Sequence, residues 1–170
     1  MRTDKGHERS GTPPNESVQT RRQVSLHLAR RTVRVGRWDS ERWHVLAIAD
    51  SALPDGQAPR LIRRWASAEG EEFLWDGLVL ALHPDETAHY LYNLTAEHPV
   101  LFVACTPDEE CGGVRPVLLT MSQDEAASHM EVEDEVLALP LPKEIRLWVA
   151  GYVERVGVKT QPRRKRALDA

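Results

Sequence analysis

Apolar and polar positions alternate along much of the chain, and the period changes near its end. Val24, Leu26 and Leu28 alternate with Ser25, His27 and Ala29, the two-residue period of a half-buried strand. The parity then slips toward Val33 and Val35, which predicts a bulge or bend near Arg30-Arg31. Trp43 to Ala49 is apolar on nearly both faces, as a central strand covered on two sides would be. Pro54-Asp55-Gly56 marks a turn, with Pro presetting φ and Gly free to take positive φ. Leu61–Ala66 and Phe73–Leu82 read as two more strands, the second interrupted at Asp76-Gly77, where another bulge fits. Ala88, Tyr90, Tyr92 and Leu94 return to period two and read as a strand, although the start after Pro84-Asp85-Glu86 would also open a short helix.

Val100–Thr106 and Val117–Met121 follow as clearer strands. Ser122 and Glu125 have the spacing of a capping box, in which the hydroxyl accepts from the third amide and the carboxylate reaches back. A short helix through Met130 is therefore expected, then a strand around Val136–Leu139. Beyond Pro142 the period becomes helical. Ile145, Trp148, Val149, Tyr152, Val153 and Val156 form one apolar stripe, and Gly157 stands where a left-handed C-cap is wanted. Trp148 and Trp43 read as core residues. The fold class predicted is α+β: mainly antiparallel β, a bent sheet or partly open barrel of about seven strands. A short helix and a C-terminal amphipathic helix pack on it.

Residues 1–22 are polar and lack periodicity, so they read as a disordered tail. Residues 23–157 read as a single globular domain, and 158–170 as a basic tail. A chain of 170 residues with 41% hydrophobic content has room for one real core. Its net charge of -4 disfavours a protein that coats nucleic acid. The two cysteines are too few for a disulfide framework, the first residues hold no apolar signal region, and no apolar run is long enough to span a bilayer. These features predict a cytoplasmic protein away from membranes.

Familiar catalytic signatures are absent. The sequence has neither phosphate-binding glycine motif and no Gly-x-Ser-x-Gly elbow. His83, Asp85, Glu86 and His89 form the densest group of possible metal ligands, yet a turn with exposed histidines explains them better. Cys105 and Cys111 flank an acidic stretch that would raise a thiol pKa, so one buried and one loop cysteine is the simpler reading. Glu131–Glu135 reads as a solvated acidic face. Two features point instead to a partner. Trp38 sits in a polar turn beside Arg37, a frequent interface pairing. Arg163, Arg164, Lys165 and Arg166 form a basic block suited to an acidic partner surface, a phosphate-bearing ligand or, least well given the net charge, RNA, unless it folds back on Glu131–Glu135 or only aids solubility.

In its order and wording the chain resembles a bacterial protein family, domain of unknown function 3305. The resemblance rests on Val24 to Arg34, Trp43-His44-Val45-Leu46-Ala47-Ile48, Tyr92-Asn93-Leu94 and Pro99 to Val103. It continues through Ser122 to Ala126, the Leu139 to Pro142 entry with Trp148, and the basic ending Arg163–Arg166. The Cys105/Cys111 pair departs from it. The resemblance carries over no catalytic residue, no metal ligand and no cofactor. Members tend to be encoded beside molybdenum-dependent formate dehydrogenases and their maturation proteins. What it implies is a non-catalytic accessory or interaction domain supporting assembly of such an enzyme. The alternative is a small enzyme or carrier that handles molybdenum cofactor or a related phosphate-bearing ligand.

Overall fold

A computed structural model describes residues 19–159. The basic block Arg163–Arg166 and most of the N-terminal tail lie outside the described residues. Seven antiparallel strands form two sheets that do not close on each other. The first sheet contains β1 (Arg21–Val35), β2 (Trp38–Asp50), β3 (Arg60–Ser67) and β4 (Gly70–Ala81), in the order β2-β1-β4-β3. After a 3-10 turn at Pro84–Glu86 comes α1 (Thr87–Leu94). The second sheet contains β5 (Val100–Asp108), β6 (Gly113–Thr120) and β7 (Glu135–Pro140), in the order β6-β5-β7. Helix α2 (Gln123–Met130) lies between β6 and β7, and α3 (Lys143–Val156) ends the fold.

The sheets share one core. Leu26, Leu28, Phe73 and Trp75 meet Leu101, Val103 and Leu139, and helical Tyr90, Val149 and Tyr152 seal it. The α3 stripe is confirmed in its centre and corrected at its edge. Ile145, Val149, Tyr152 and Val153 are buried, but Trp148 is only half-buried. Its Nε1–H donates to Gln19 O at 2.9 Å, and Arg22 lies 5.7 Å from the ring centre. Trp148→Ala is therefore expected to cost about 1–2 kcal/mol in urea unfolding, below the roughly 3–5 kcal/mol of a fully buried ring. At the helix end Gly157 has positive φ (80°), yet its ψ of 157° leads the chain out extended rather than left-handed.

Three expectations change. Residues 87–94 are helical, not a strand. The buried face is Thr87, Tyr90 and Asn93, two of them polar, so apolar spacing hid it. Asn93 is satisfied by Val100 and Met121: its Nδ2 donates to both carbonyls at 2.7 and 3.0 Å, and Oδ1 accepts from Val100 N at 3.0 Å. Second, β2 is an edge strand, and Ala47 and Ala49 are exposed small residues. Third, no bulge falls at Arg30-Arg31, where β1 pairs in unbroken register. Val33 and Val35 simply lie on the face opposite Leu26 and Leu28.

The bulges lie elsewhere, and they explain a pattern of exposed apolar residues. Register shifts leave Leu46 on β2, Ile62 on β3 and Val117 on β6 without a partner, and all three are exposed. Each belongs to an edge strand. A bulge there bends the strand and interrupts the row of free N–H and C=O groups that would otherwise recruit another chain. The remaining edge, β7, is short and ends in Pro140. The expected bulge at Asp76-Gly77 is present: Gly77 has φ of 89° and no partner on β1.

The Ser122 cap forms as expected, its hydroxyl accepting from Glu125 N at 3.3 Å. The return half of the box is relayed. Glu125 accepts from Thr120 Oγ1 at 2.8 Å, and Thr120 Oγ1 accepts from Ser122 N at 3.0 Å.

Candidate partner-binding surface

The sheet is longer at one corner than its neighbours allow. Pairing of β4 with β1 stops at Arg31/Gly70, whereas β1 and β2 stay paired out to Val35/Trp38. Residues 32–41 therefore project as a two-stranded arm, turned at Gly36 with φ of 63°. Pairing places Val35 and Trp38 on one face and Arg34 with Asp39 on the other. Trp38 is 79% exposed and Val35 54%. A large ring so displayed adds nothing to the core, and beside Arg34 and Arg37 it has the composition of an interface anchor.

The arm is held rigidly at its root. Arg30 Nη1 donates to Gly112 O at 2.8 Å and Arg64 Nη1 to Cys111 O at 2.8 Å, so two strands grip the β5–β6 loop. Both guanidinium groups pair with Glu71, Arg64 Nη2 at 2.7 Å. The cations rest on rings: Arg30 lies 5.4 Å from Trp43 and 5.7 Å from Phe73, and Arg64 5.2 Å from Phe73. Trp43 and Phe73 in turn lie 5.2 Å apart. A Cβ on Gly113 would come within 2.6 Å of the Trp43 ring, so a side chain there would force the ring to shift. Burial pushes the Glu71 carboxyl up, but the Arg64 and Arg30 hydrogen bonds and charges outweigh it and hold its pKa below the usual carboxylate value.

The outer face of the first sheet continues from the arm. Trp65 carries His27 at 5.2 Å on one side and Arg63 at 4.8 Å. Glu72 Oε1 lies 3.0 Å from His27 Nε2 and 3.9 Å from Arg31 Nη2. Residues 21–81 hold ten Arg against eight acids, while residues 82–159 hold fourteen acids against five Lys and Arg. The described residues are thus electrically polarised. Among them the arm-bearing sheet is the more basic part, a distinction that the net charge conceals.

The other chemistry singled out from the sequence is placed as follows. Cys105 and Cys111 are both buried. Burial first, then Glu135 and Asp134, push the Cys105 thiol up to about 12, which leaves it protonated at neutral pH. The Cys111 thiol points at Asp108 O (3.5 Å) and Val114 O (3.9 Å). His89 Nε2 lies 3.9 Å from Glu86 and 3.7 Å from Asp124. Among the described residues no group of three or more His, Cys, Asp or Glu is arranged to hold a metal ion. Glu131 and Glu133 are exposed in the turn before β7, and Asp134 pairs with His129 at 2.8 Å. Among these residues no helix is long and apolar enough to cross a membrane.

A family model described as "Protein of unknown function (DUF3305)" matches residues 24–166. No curated protein and no solved structure matches the chain.

Proposed function

The chain belongs to the DUF3305 protein family, and from that premise we propose that it is a non-catalytic interaction domain. Its client is a molybdenum-dependent formate dehydrogenase or one of that enzyme's maturation proteins. The observation that carries the reading is the projecting arm, with Trp38 79% exposed at its end and its root locked by Arg30, Arg64 and Glu71. A hairpin anchored at its root has less freedom to lose on binding than a free loop, which favours affinity from few anchors. The blunted edges support side-chain docking rather than addition of a strand. The named client rests on the gene neighbourhood that the family resemblance implies.

Trp38→Ala is expected to leave the melting temperature unchanged, since exposed positions contribute within about 0.5 kcal/mol. Capture of a formate dehydrogenase subunit by the tagged protein is expected to fall at least ten-fold, the loss of one anchor worth about 1.4 kcal/mol or more. Equal capture by Trp38→Ala and the native chain would remove the arm from the interface. A pterin or nucleotide bound stoichiometrically in native mass spectra would instead favour a cofactor carrier.

A further inference from the structure

The two faces of the arm are not alike. On one, Thr32 stands opposite Glu41 and Arg34 opposite Asp39, so the cation meets an anion. On the other, the cross-strand rows are Val35/Trp38, Val33/Ser40, Arg31/Arg42 and, at the root, Ala29/His44, and no acid falls in them. Two arginines directly opposite each other are an unfavourable pair, and this one is eased from one side only. Arg31 is engaged by the β3–β4 hairpin: its Nη1 donates to Ser67 Oγ at 2.9 Å, and Glu69 and Glu72 lie 3.5 and 3.9 Å from its guanidinium. Arg42 stands exposed on the edge strand and has no ion-pair partner among the described residues.

The unmatched cation shares its face with the anchors. Trp38, Ser40, Arg42 and His44 follow one another at every second residue of β2, all of them exposed, in a row about 20 Å long. Trp38 and Val35 form its apolar end, and Arg42 lies four residues, about 13 Å, further along. In an extended peptide, residues four apart point the same way at the same spacing. Stacked nucleic acid suits the face less well. Trp65, the other indole on this side of the sheet, already carries Arg63 at 4.8 Å and His27 at 5.2 Å. Among the described residues this leaves Trp38 as the one open indole here, whereas single-strand binding stacks successive bases on several rings.

We propose that the Trp38–Arg42 face of the arm binds an acidic, extended segment of the client protein, with an apolar side chain on Trp38 and Val35 and a carboxylate on Arg42. The proposal rests on the reading of the arm as the client-binding element, and adds which face is used and what chemistry it takes. The segment supplies the anion that the Arg31/Arg42 row lacks. An exposed charge such as Arg42 acts mainly on association rate and salt dependence, while the desolvated Trp38 ring acts on dissociation.

The test uses the full chain and a synthetic octapeptide with one Leu and glutamates two and four residues after it. In NMR spectra at low salt the peptide is expected to shift the Trp38 indole N–H and the Val33 and Val35 methyls. The Thr32 methyl and the Trp43 indole, on the other face, are expected to stay. Arg42→Gln is expected to weaken peptide binding about three-fold at low salt, the scale of one exposed ion pair, and to converge with the native chain at high salt. Arg155→Gln removes the same charge from the exposed side of α3 and is expected to leave binding unchanged. Equal affinity for the same peptide with Gln in place of Glu, shifts on the Thr32 face, or tighter binding of an oligothymidylate of equal length would overturn the proposal. Client capture that is lost in Trp38→Ala but kept in Arg42→Gln at low salt would leave the arm as the binding element and overturn the acidic segment alone. Capture that survives Trp38→Ala would remove the arm itself.

Discussion

Asp76→Ala is expected to lower unfolding stability by about 3–4 kcal/mol, a large part of the ~5–15 kcal/mol that holds a domain of this size. The Asp76 side chain sits at the β4 bulge, and the residue is only 5% exposed. One carboxylate anchors a whole connection: it accepts from Ser51 Oγ at 2.5 Å, Ala52 N at 3.0 Å and Gly77 N at 2.6 Å. Ser51 passes the hold on to Gln23 Nε2 (3.0 Å) and Leu53 N (3.1 Å). The β2–β3 connection then packs on Gly77, where a Cβ would lie 3.2 Å from Ala58 O. Removing the carboxylate strands buried donors, and that costs more than the mean hydrogen bond.

Asp76 also sets a pH dependence. Burial raises its pKa, but the Ser51 hydroxyl and the Ala52 and Gly77 amides outweigh it, so the folded value lies below that of an ordinary aspartate. A depressed folded pKa contributes stability that is present above the unfolded value of about 3.9 and lost as pH falls through the folded one. Asp76→Asn is expected to flatten that acid limb in urea unfolding as pH falls below about 4, the unfolded value. An acid limb identical to the native one would show that other carboxylates carry it.

The legibility of these elements in the sequence follows from what holds each one. Helix α3 and strand β5 are held by apolar burial, which leaves a period. The bulge at Asp76-Gly77 is legible because a polar residue followed by glycine breaks an otherwise apolar run at a single point. Helix α1 is not legible. Thr87 and Asn93 are buried through hydrogen bonds, Asn93 to a strand and a loop seven and 28 residues away, and no local spacing records that. Strand β2 misleads for the opposite reason, since Ala47 and Ala49 are apolar by type yet small enough to stay in water.

The candidate surface divides in the same way. The exposure of Trp38 is legible from its polar neighbours. The rigidity of the arm beneath it is not, because the clamp joins Arg30, Arg64, Glu71 and the Cys111-Gly112 carbonyls across separations of up to 82 residues. Charge polarisation lies open in the sequence, but a single net figure averages it away.

The clamp converges on one ring. Phe73 is fully buried, opposite Leu28 on β1 and Arg64 on β3, and it carries Trp43 and both guanidinium groups. Phe73→Ala is expected to cost about 3–5 kcal/mol from lost transfer energy and the cavity left behind. Phe73→Leu keeps most of the volume and is expected to cost only about 1–1.5 kcal/mol, yet it removes the face on which Arg30 and Arg64 rest. The two variants therefore separate packing from clamping. In the Leu variant, hydrogen exchange at residues 32–41 is expected to quicken more than at Leu101 or Val103, because the arm loses its anchored root while the core stays filled. Uniform acceleration across both regions would show that the ring serves the core alone, and that Glu71 and the loop carbonyls hold the two arginines without it.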